Sequence, residues 1–232
     1  MSEAAQLAEI YSITSLTAHT KQLVLRPLEH HVAFQPGQWV SLQLPIGDRP
    51  PLNRAYSLAD PPSTSGHLSL VFDQVPGGKA SNYLAALRPG DRFPVSGPYG
   101  RFVLPNLEGK RLLLIGRYSG LVPLRCIVRS LVHRGELPPT VLIAQAPSAS
   151  EQLYHEEFQA LADTNPGFRY ISMVQEHAAD HDAVAATIRK LVDGNRSYIP
   201  MIAGVKAFAR PLREVLIECG YERREVRIET YD

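Results

Sequence analysis

The spacing of apolar residues changes period once along this chain, near "LPNLEGKR" (104–111), and that change limits the fold more than any other feature. Before it lie short runs rich in Val, Leu, Tyr and Phe: "LAEIYSIT", "KQLVLRPL", "GQWVSLQL", "RAYSLAD", "GHLSLVFDQV" and "DRFPVSG". Turn clusters such as "FQPGQ", "PIGDRPPLN", "DPPSTSG" and "LRPGD" punctuate them. Short strands at this spacing build an antiparallel β-barrel or sandwich. One short helix, "SNYLAAL", interrupts the series. After the change, strand-like "RLLLIG", "TVLIAQA", "FRYISMV", "SYIPMIAG" and "VRIETY" alternate with helical patterns beginning near Leu121, Ser150, His181 and Lys206. Strand–helix alternation predicts an α/β open parallel sheet covered on both faces. Proline is dense up to residue 105 and then thins, so two domains are expected, 1–106 and 107–232.

Charge and cysteine usage narrow the function. A net charge of +1 gives no electrostatic case for nucleic acid or an anionic membrane. No apolar run approaches the ~18 residues of a membrane span. Glu3 stands where a secretory signal carries a basic residue, and a cytoplasmic location is the default expectation. Two distant cysteines, Cys126 and Cys219, cannot form a disulfide framework, a four-cysteine zinc site or a four-cysteine iron–sulfur site. Cys126, within "LRCIVRSLV", reads as a buried small apolar residue.

Four short segments carry candidate chemistry. In "RAYS", Arg54 offers a fork suited to phosphate, Tyr56 a stacking face, and Ser57 a hydroxyl that donates or accepts. Taken alone, the same residues describe an edge-strand arginine and a core tyrosine. In "PGGKASNYL", two glycines lead into a helix that Ser81 can cap, and amides at a helix start form an anion site. A plain hairpin turn with a capped helix fits that segment equally. "VSGPYGRFVL" places Gly97 and Gly100 around a turn. "IGRYSGLVP" joins a strand to a helix where nucleotide folds place glycines, with Arg117 and Tyr118 at its centre.

"PGQWV", "RAYSLAD", "PGGKASNYL" and "GPYGRF", in that order and at these intervals, resemble the flavin domain of the ferredoxin–NADP reductase superfamily. The likeness continues through "LYHEEFQAL" and the final "ETYD" and so covers nearly the whole chain. It implies a six-stranded antiparallel FAD barrel followed by a pyridine-nucleotide domain. By position, Arg54 would hold FAD phosphate and Tyr56 would stack on the isoalloxazine. Ser57 would hydrogen-bond near the reducible nitrogen, as the catalytic residue. Gly78, Lys79, Ala80 and Ser81 would cradle the pyrophosphate. Trp39 is read as barrel packing rather than a flavin contact.

The second half resembles the family in frame but departs from it in chemistry. The family turn A-G-G-T-G-I-A-P reads Gly116-Arg-Tyr-Ser-Gly-Leu-Val-Pro123 here. Ser119, Gly120 and Pro123 fit, while both central glycines are replaced by Arg117 and Tyr118, whose side chains must obstruct the dinucleotide or swing away. The family's C-G-P motif aligns with Ala203, Gly204 and Val205, and Pro147 stands where an arginine often reaches the adenosine ribose or 2′-phosphate. These changes imply that hydride delivery from NADH or NADPH is weakened or lost. Tyr118 would either cover the flavin face or simply pack, with Tyr231 a second candidate for the same cover.

No metal site is expected. His177 and His181 are four apart in "EHAADH", but the segment lacks helical periodicity and reads as a solvated loop and cap. Two function classes remain. One is an FAD-dependent oxidoreductase passing electrons between NAD(P)H and a ferredoxin, flavodoxin or other acceptor. The other is a flavin-holding electron-transfer or regulatory subunit that no longer uses NAD(P)H directly.

Overall fold

The computed structural model describes residues 3–47, 50–192 and 196–231. Asp48 and Arg49, in the expected turn "PIGDRPPLN", and Asp232 of "ETYD" lie outside the described residues. The chain divides into two compact units. The first runs to Val103 and includes Arg125–Ser130; the second comprises Leu104–Leu124 and the chain from Leu131 on.

In the first unit, β1 (Glu3–Ser15), β2 (Thr20–Pro27), β3 (Trp39–Leu44), β4 (Leu52–Ser57), β5 (Leu68–Asp73) and β6 (Arg92–Tyr99) form an antiparallel sheet of order β4-β3-β6-β1-β2-β5. Period-two alternation turns Val40, Leu42 and Leu44 of β3, and Phe93 and Val95 of β6, into one apolar core with Leu23, Leu25 and Leu70. The two outermost strands meet at a single bridge, Leu58↔Leu70, which closes the sheet into a barrel. Trp39 packs its ring 4.8 Å from that of Tyr99, as barrel packing requires. Helix α1 (Lys79–Ala86) follows β5 and buries Leu84 in the core.

In the second unit, β7 (Arg111–Arg117), β8 (Thr140–Ala146), β9 (Phe168–Val174), β10 (Tyr198–Gly204) and β11 (Arg227–Thr230) form a parallel sheet of order β11-β10-β7-β8-β9. The three central strands are buried along almost their whole length, whereas β9 and β11, at the edges, are only partly covered. Continuous apolar runs rather than alternation are what a sheet covered on both faces demands. The helices are α2 (Leu121–Arg134), α3 (His155–Thr164), α4 (Asp182–Val192) and α5 (Lys206–Glu218). Val184 and Ile188 of α4 and Phe208, Leu212 and Leu216 of α5 pack against Leu113, Ile115, Ile143 and Ile202.

The strands and helix starts follow the apolar pattern, with one correction. The helix expected from Ser150 is only a 3-10 turn over Ala149–Glu151. The α-helix starts at His155, after Tyr154 adopts φ +59°, and Glu156 and Glu157 occupy the first turn, where the helix dipole favours them. Among the described residues, no helix is long and apolar enough to cross a membrane.

Candidate functional site

Candidate residues of the first unit gather along the barrel seam. Register places Arg54 opposite Leu42, Tyr56 opposite Val40 and Ser57 opposite Trp39. Arg54 is exposed, and one of its N–H groups donates to the Asn53 carbonyl at 2.8 Å. Tyr56 is half-buried, and burial pushes its phenol up to about 12, so it stays protonated at any working pH. Ser57 is 9% exposed, and among the described residues its hydroxyl has no hydrogen-bond partner. Such a group is either hydrated or reserved for a ligand.

The seam runs β5 antiparallel to the end of β4, so the chain leaving Asp73 enters the "PGGK" turn on the same side. Gly77 takes φ +74°, a left-handed value that suits glycine, and no atom lies within 4 Å of where its Cβ would stand. At Gly78 a Cβ would fall 2.6 Å from Ser81 Oγ and 3.0 Å from the Val75 carbonyl. The expected cap is corrected here. Gly78, not Ser81, is the N-cap residue, and no side chain caps the helix. The Ser81 hydroxyl turns back instead, accepting from the Val75 N–H at 3.1 Å and so fixing the turn. The amides of Lys79, Ala80 and Ser81 are first-turn donors with no intrahelical acceptor, and no acidic residue sits in that turn. Lys79 is exposed and has no ion-pair partner among the described residues.

Every polar group in this set can donate, and the one aromatic face is half-buried beside them. Those properties fit a ligand with a phosphate chain and a fused ring, so the residues present fit FAD.

In the second unit, the strand order changes direction between β7 and β10, and in open parallel sheets ligands bind outside the carboxyl ends at such a point. Gly116 pairs with Ala203, which brings Arg117, Tyr118, Ser119 and Gly120 together with Ala203 and Gly204. Gly120 packs so closely on the Ala203 carbonyl that a Cβ would lie 2.1 Å from its oxygen. Tyr118 holds φ +51°, a left-handed value that the family meets with glycine.

Arg117 is 7% exposed. Its Nη1 donates to Gln145 Oε1 at 2.7 Å and to the Gln175 carbonyl at 2.8 Å, while Nη2 donates to the Glu176 carbonyl at 2.8 Å. Burial lowers this guanidinium from its usual range, opposed by Asp180 and Glu151, yet an arginine remains a cation at neutral pH. Gln145, fully buried, passes its own amide on to the Asp180 carbonyl at 2.9 Å. Arg117 thus swings away beneath the ends of β8 and β9 and pins the loop that carries His177 and His181. Among the described residues no group of His, Cys, Asp or Glu is placed to hold a metal ion. Cys126 is fully buried, and burial pushes its thiol up to about 12.

Three further features carry no signal in the motifs. Asp60 accepts from Arg125 and Arg129 within the first unit. Their spacing of four on α2 is the only sequence hint of it. Glu229 pairs with Ala203 across β10 and β11, and burial raises its carboxyl above the usual range. Gln145 reads in the sequence as one more core-strand position.

Residues 5–104 match the family of oxidoreductase FAD-binding domains. Over 208 residues the chain is 30% identical to the phenol 2-monooxygenase reductase component DmpP of Pseudomonas sp. (strain CF600), covering 83% of this chain and 58% of that protein. It therefore spans little more than half the length of that relative. It is 28% identical over 210 residues to ferredoxin–NADP reductase B of Sorangium cellulosum (strain So ce56), covering 86% of each. The crystal structure of the Amycolatopsis cytochrome P450 reductase GcoB superposes with a TM-score of 0.84 at 24% identity, over 98% of this chain and 70% of that one. The barrel and parallel sheet are those of a two-domain flavin reductase fold. Over most of its length the chain is similar to reductases of the ferredoxin–NADP reductase superfamily, with the FAD-binding family matched in residues 5–104.

Replacing Arg117 by Ala leaves two backbone carbonyls and Gln145 Oε1 without a donor, and is expected to cost about 2–4 kcal/mol in urea unfolding. Tyr118→Gly relieves a left-handed residue while loosening the unfolded chain, and is expected to stay within about 1 kcal/mol of the parent. The raised carboxyl of Glu229 penalises the ionised folded state, fully above its folded value and not at all below its unfolded one. Glu229→Gln should therefore stabilise at pH 7, by well under about 1 kcal/mol given its partial exposure. The gain should vanish below about pH 4, as thermal melts across pH would show.

Proposed function

We propose that the chain is an FAD-dependent oxidoreductase that takes electrons from NAD(P)H and passes them to a ferredoxin, flavodoxin or other redox acceptor protein. Residues 1–106 are its flavin domain and residues 107–232 its nicotinamide domain. The observation that carries this reading is the set of donors still available on the barrel seam: the Ser57 hydroxyl, the remaining N–H groups of Arg54 and the first-turn amides of α1, beside the half-buried Tyr56. Arg54 and the amides of Lys79, Ala80 and Ser81 bind the phosphates, with Gly77 and Gly78 leaving room for their approach. Tyr56 supplies the stacking face, and Ser57 holds a donor hydroxyl toward the ring edge. Bound FAD supplies the exchange between paired and single electrons that no side chain offers.

NADPH or NADH use is weakened rather than lost. The inward turn of Arg117, the left-handed Tyr118 and the close Gly120–Ala203 packing together support a dinucleotide turn whose backbone is still usable. Ala203 and Pro147, in contrast, offer neither a thiol beside the nicotinamide nor a cation for the adenosine end. The same two residues motivate a second reading, a flavin-holding subunit fed by another donor. Relatives named as a reductase component of a monooxygenase and an electron transfer component of a dioxygenase support the acceptor class, a redox protein rather than a small metabolite.

Mixing the flavin-loaded chain with NADPH at about millimolar concentration should bleach the oxidised flavin band at a measurable rate. Ser57→Ala should slow that bleaching by about tenfold or more while leaving the flavin bound. No bleaching with either nicotinamide, in a chain that chemical reductants do bleach, would favour the second reading.

A further inference from the structure

Within the first unit the chain turns a corner at Leu58–Asp60, directly after Ser57. There it leaves β3 and crosses to β5: the Leu58 N–H donates to the Gln38 carbonyl at 3.0 Å, and the Ala59 N–H to the Ser69 carbonyl at 2.8 Å. Arg125, 5% exposed, takes the other backbone group of the same residue. Its Nη1 donates to the Ala59 carbonyl at 3.0 Å and to Asp60 Oδ1 at 2.9 Å. Arg129, one helical turn on, donates to the same carboxylate oxygen at 2.6 Å. Gln22 bonds Ser69 Oγ at 2.8 Å and faces Asp60 Oδ2 at 3.5 Å.

A guanidinium buried this deeply is tolerable only when carbonyls and a carboxylate replace its water, and that requirement fixes its geometry. Both backbone groups of Ala59 are consequently engaged, one by β5 and one by Arg125. Ser57, two residues earlier, has its backbone in the ladder with β3 and, among the described residues, no hydrogen-bond partner for its hydroxyl. Among the described residues no hydrogen bond fixes where that hydroxyl points. The direction is set by the strand end, and the strand end is set by the corner. We infer that Arg125 is a positioning residue that acts through Ser57: by bracing the Ala59–Asp60 corner it fixes the hydroxyl that faces the flavin ring. The inference rests on the assignment of Ser57 to FAD made above.

The test uses the full chain saturated with FAD and four variants: Arg125→Met, Arg125→Lys, Ser57→Ala and the Arg125→Met/Ser57→Ala double. Two quantities are read, the flavin midpoint potential and the amide hydrogen exchange of Leu58 and Ala59. Arg125→Met should move the potential in the same direction as Ser57→Ala, and Arg125→Lys should recover most of that movement. The double variant should move no further than Ser57→Ala alone, because the two residues act in series. Exchange at Leu58 and Ala59 should quicken by about tenfold or more in Arg125→Met. A purely structural role would lower stability but leave the potential in place. An unchanged potential, or shifts that simply add in the double variant, would overturn the inference. If Arg125→Met does not fold, Asp60→Asn with Arg125→Lys carries the same cycle. A parent chain that takes up no FAD overturns the assignment at Ser57 and this inference with it. A parent that binds FAD, with Arg125→Met at the parent's potential, overturns this inference alone.

Discussion

The barrel of this protein closes at one place. Five strand pairs are ladders, whereas among the described residues the β4 and β5 sides are hydrogen-bonded through the Leu58↔Leu70 bridge and the Ala59–Ser69 bond alone. So short a closure exposes the strand ends beside it, and both flavin-type motifs occupy those ends. Long pairing would have consumed the donors that a phosphate needs. At the seam the N–H groups of α1 and the Arg54 guanidinium stay available, while Ser81 and the Asp60–Arg125 pair hold the adjoining turns in shape. Rigid surroundings and unspent donors are what preorganised ligand sites require.

The second unit meets a comparable demand with different residues. A strand-to-helix turn at a switch point must bring backbone close to backbone, and Gly120 against the Ala203 carbonyl does so. The resemblance puts glycine at positions 117 and 118 of this turn, and here neither is glycine. Tyr118 accepts the left-handed conformation at some cost, and Arg117 converts its bulk into three hydrogen bonds below the sheet ends. Of the two side chains that the sequence leaves either obstructing or swung away, that of Arg117 is tied into the scaffold. Ala203 and Pro147 carry no polar side-chain group that could do the same.

Much of this was legible in the sequence because it is governed by local periodicity. The strands, the turns between them and the starts of α2, α4 and α5 follow from apolar spacing and from Pro and Gly placement. The candidate residues of "RAYS" and "PGGKAS" could be named because their spacing matches a family. What could not be read was set by partners distant in the chain. Arg117 finds its acceptors at Gln145, Gln175 and Glu176, and Arg125 finds its own at Ala59 and Asp60. Ser81 looked like a cap because a serine near a helix start usually is one. The actual start was set by the backbone of Gly78, which released the hydroxyl to bond Val75. The helix misplaced at Ser150 failed for a related reason: Gln152 is extended and Tyr154 left-handed, which halts helical geometry whatever the side-chain pattern.

The proposed occupant of the first unit's seam is FAD. Its most direct measurement is the visible spectrum and released-cofactor analysis of the purified chain after incubation with a mixture of FAD and FMN, followed by removal of unbound flavin. The account predicts a yellow protein carrying equimolar FAD, with uptake lost or strongly weakened when Arg54→Ala and Gly78→Val are combined. A colourless protein, or one that retains FMN as readily as FAD, would contradict it.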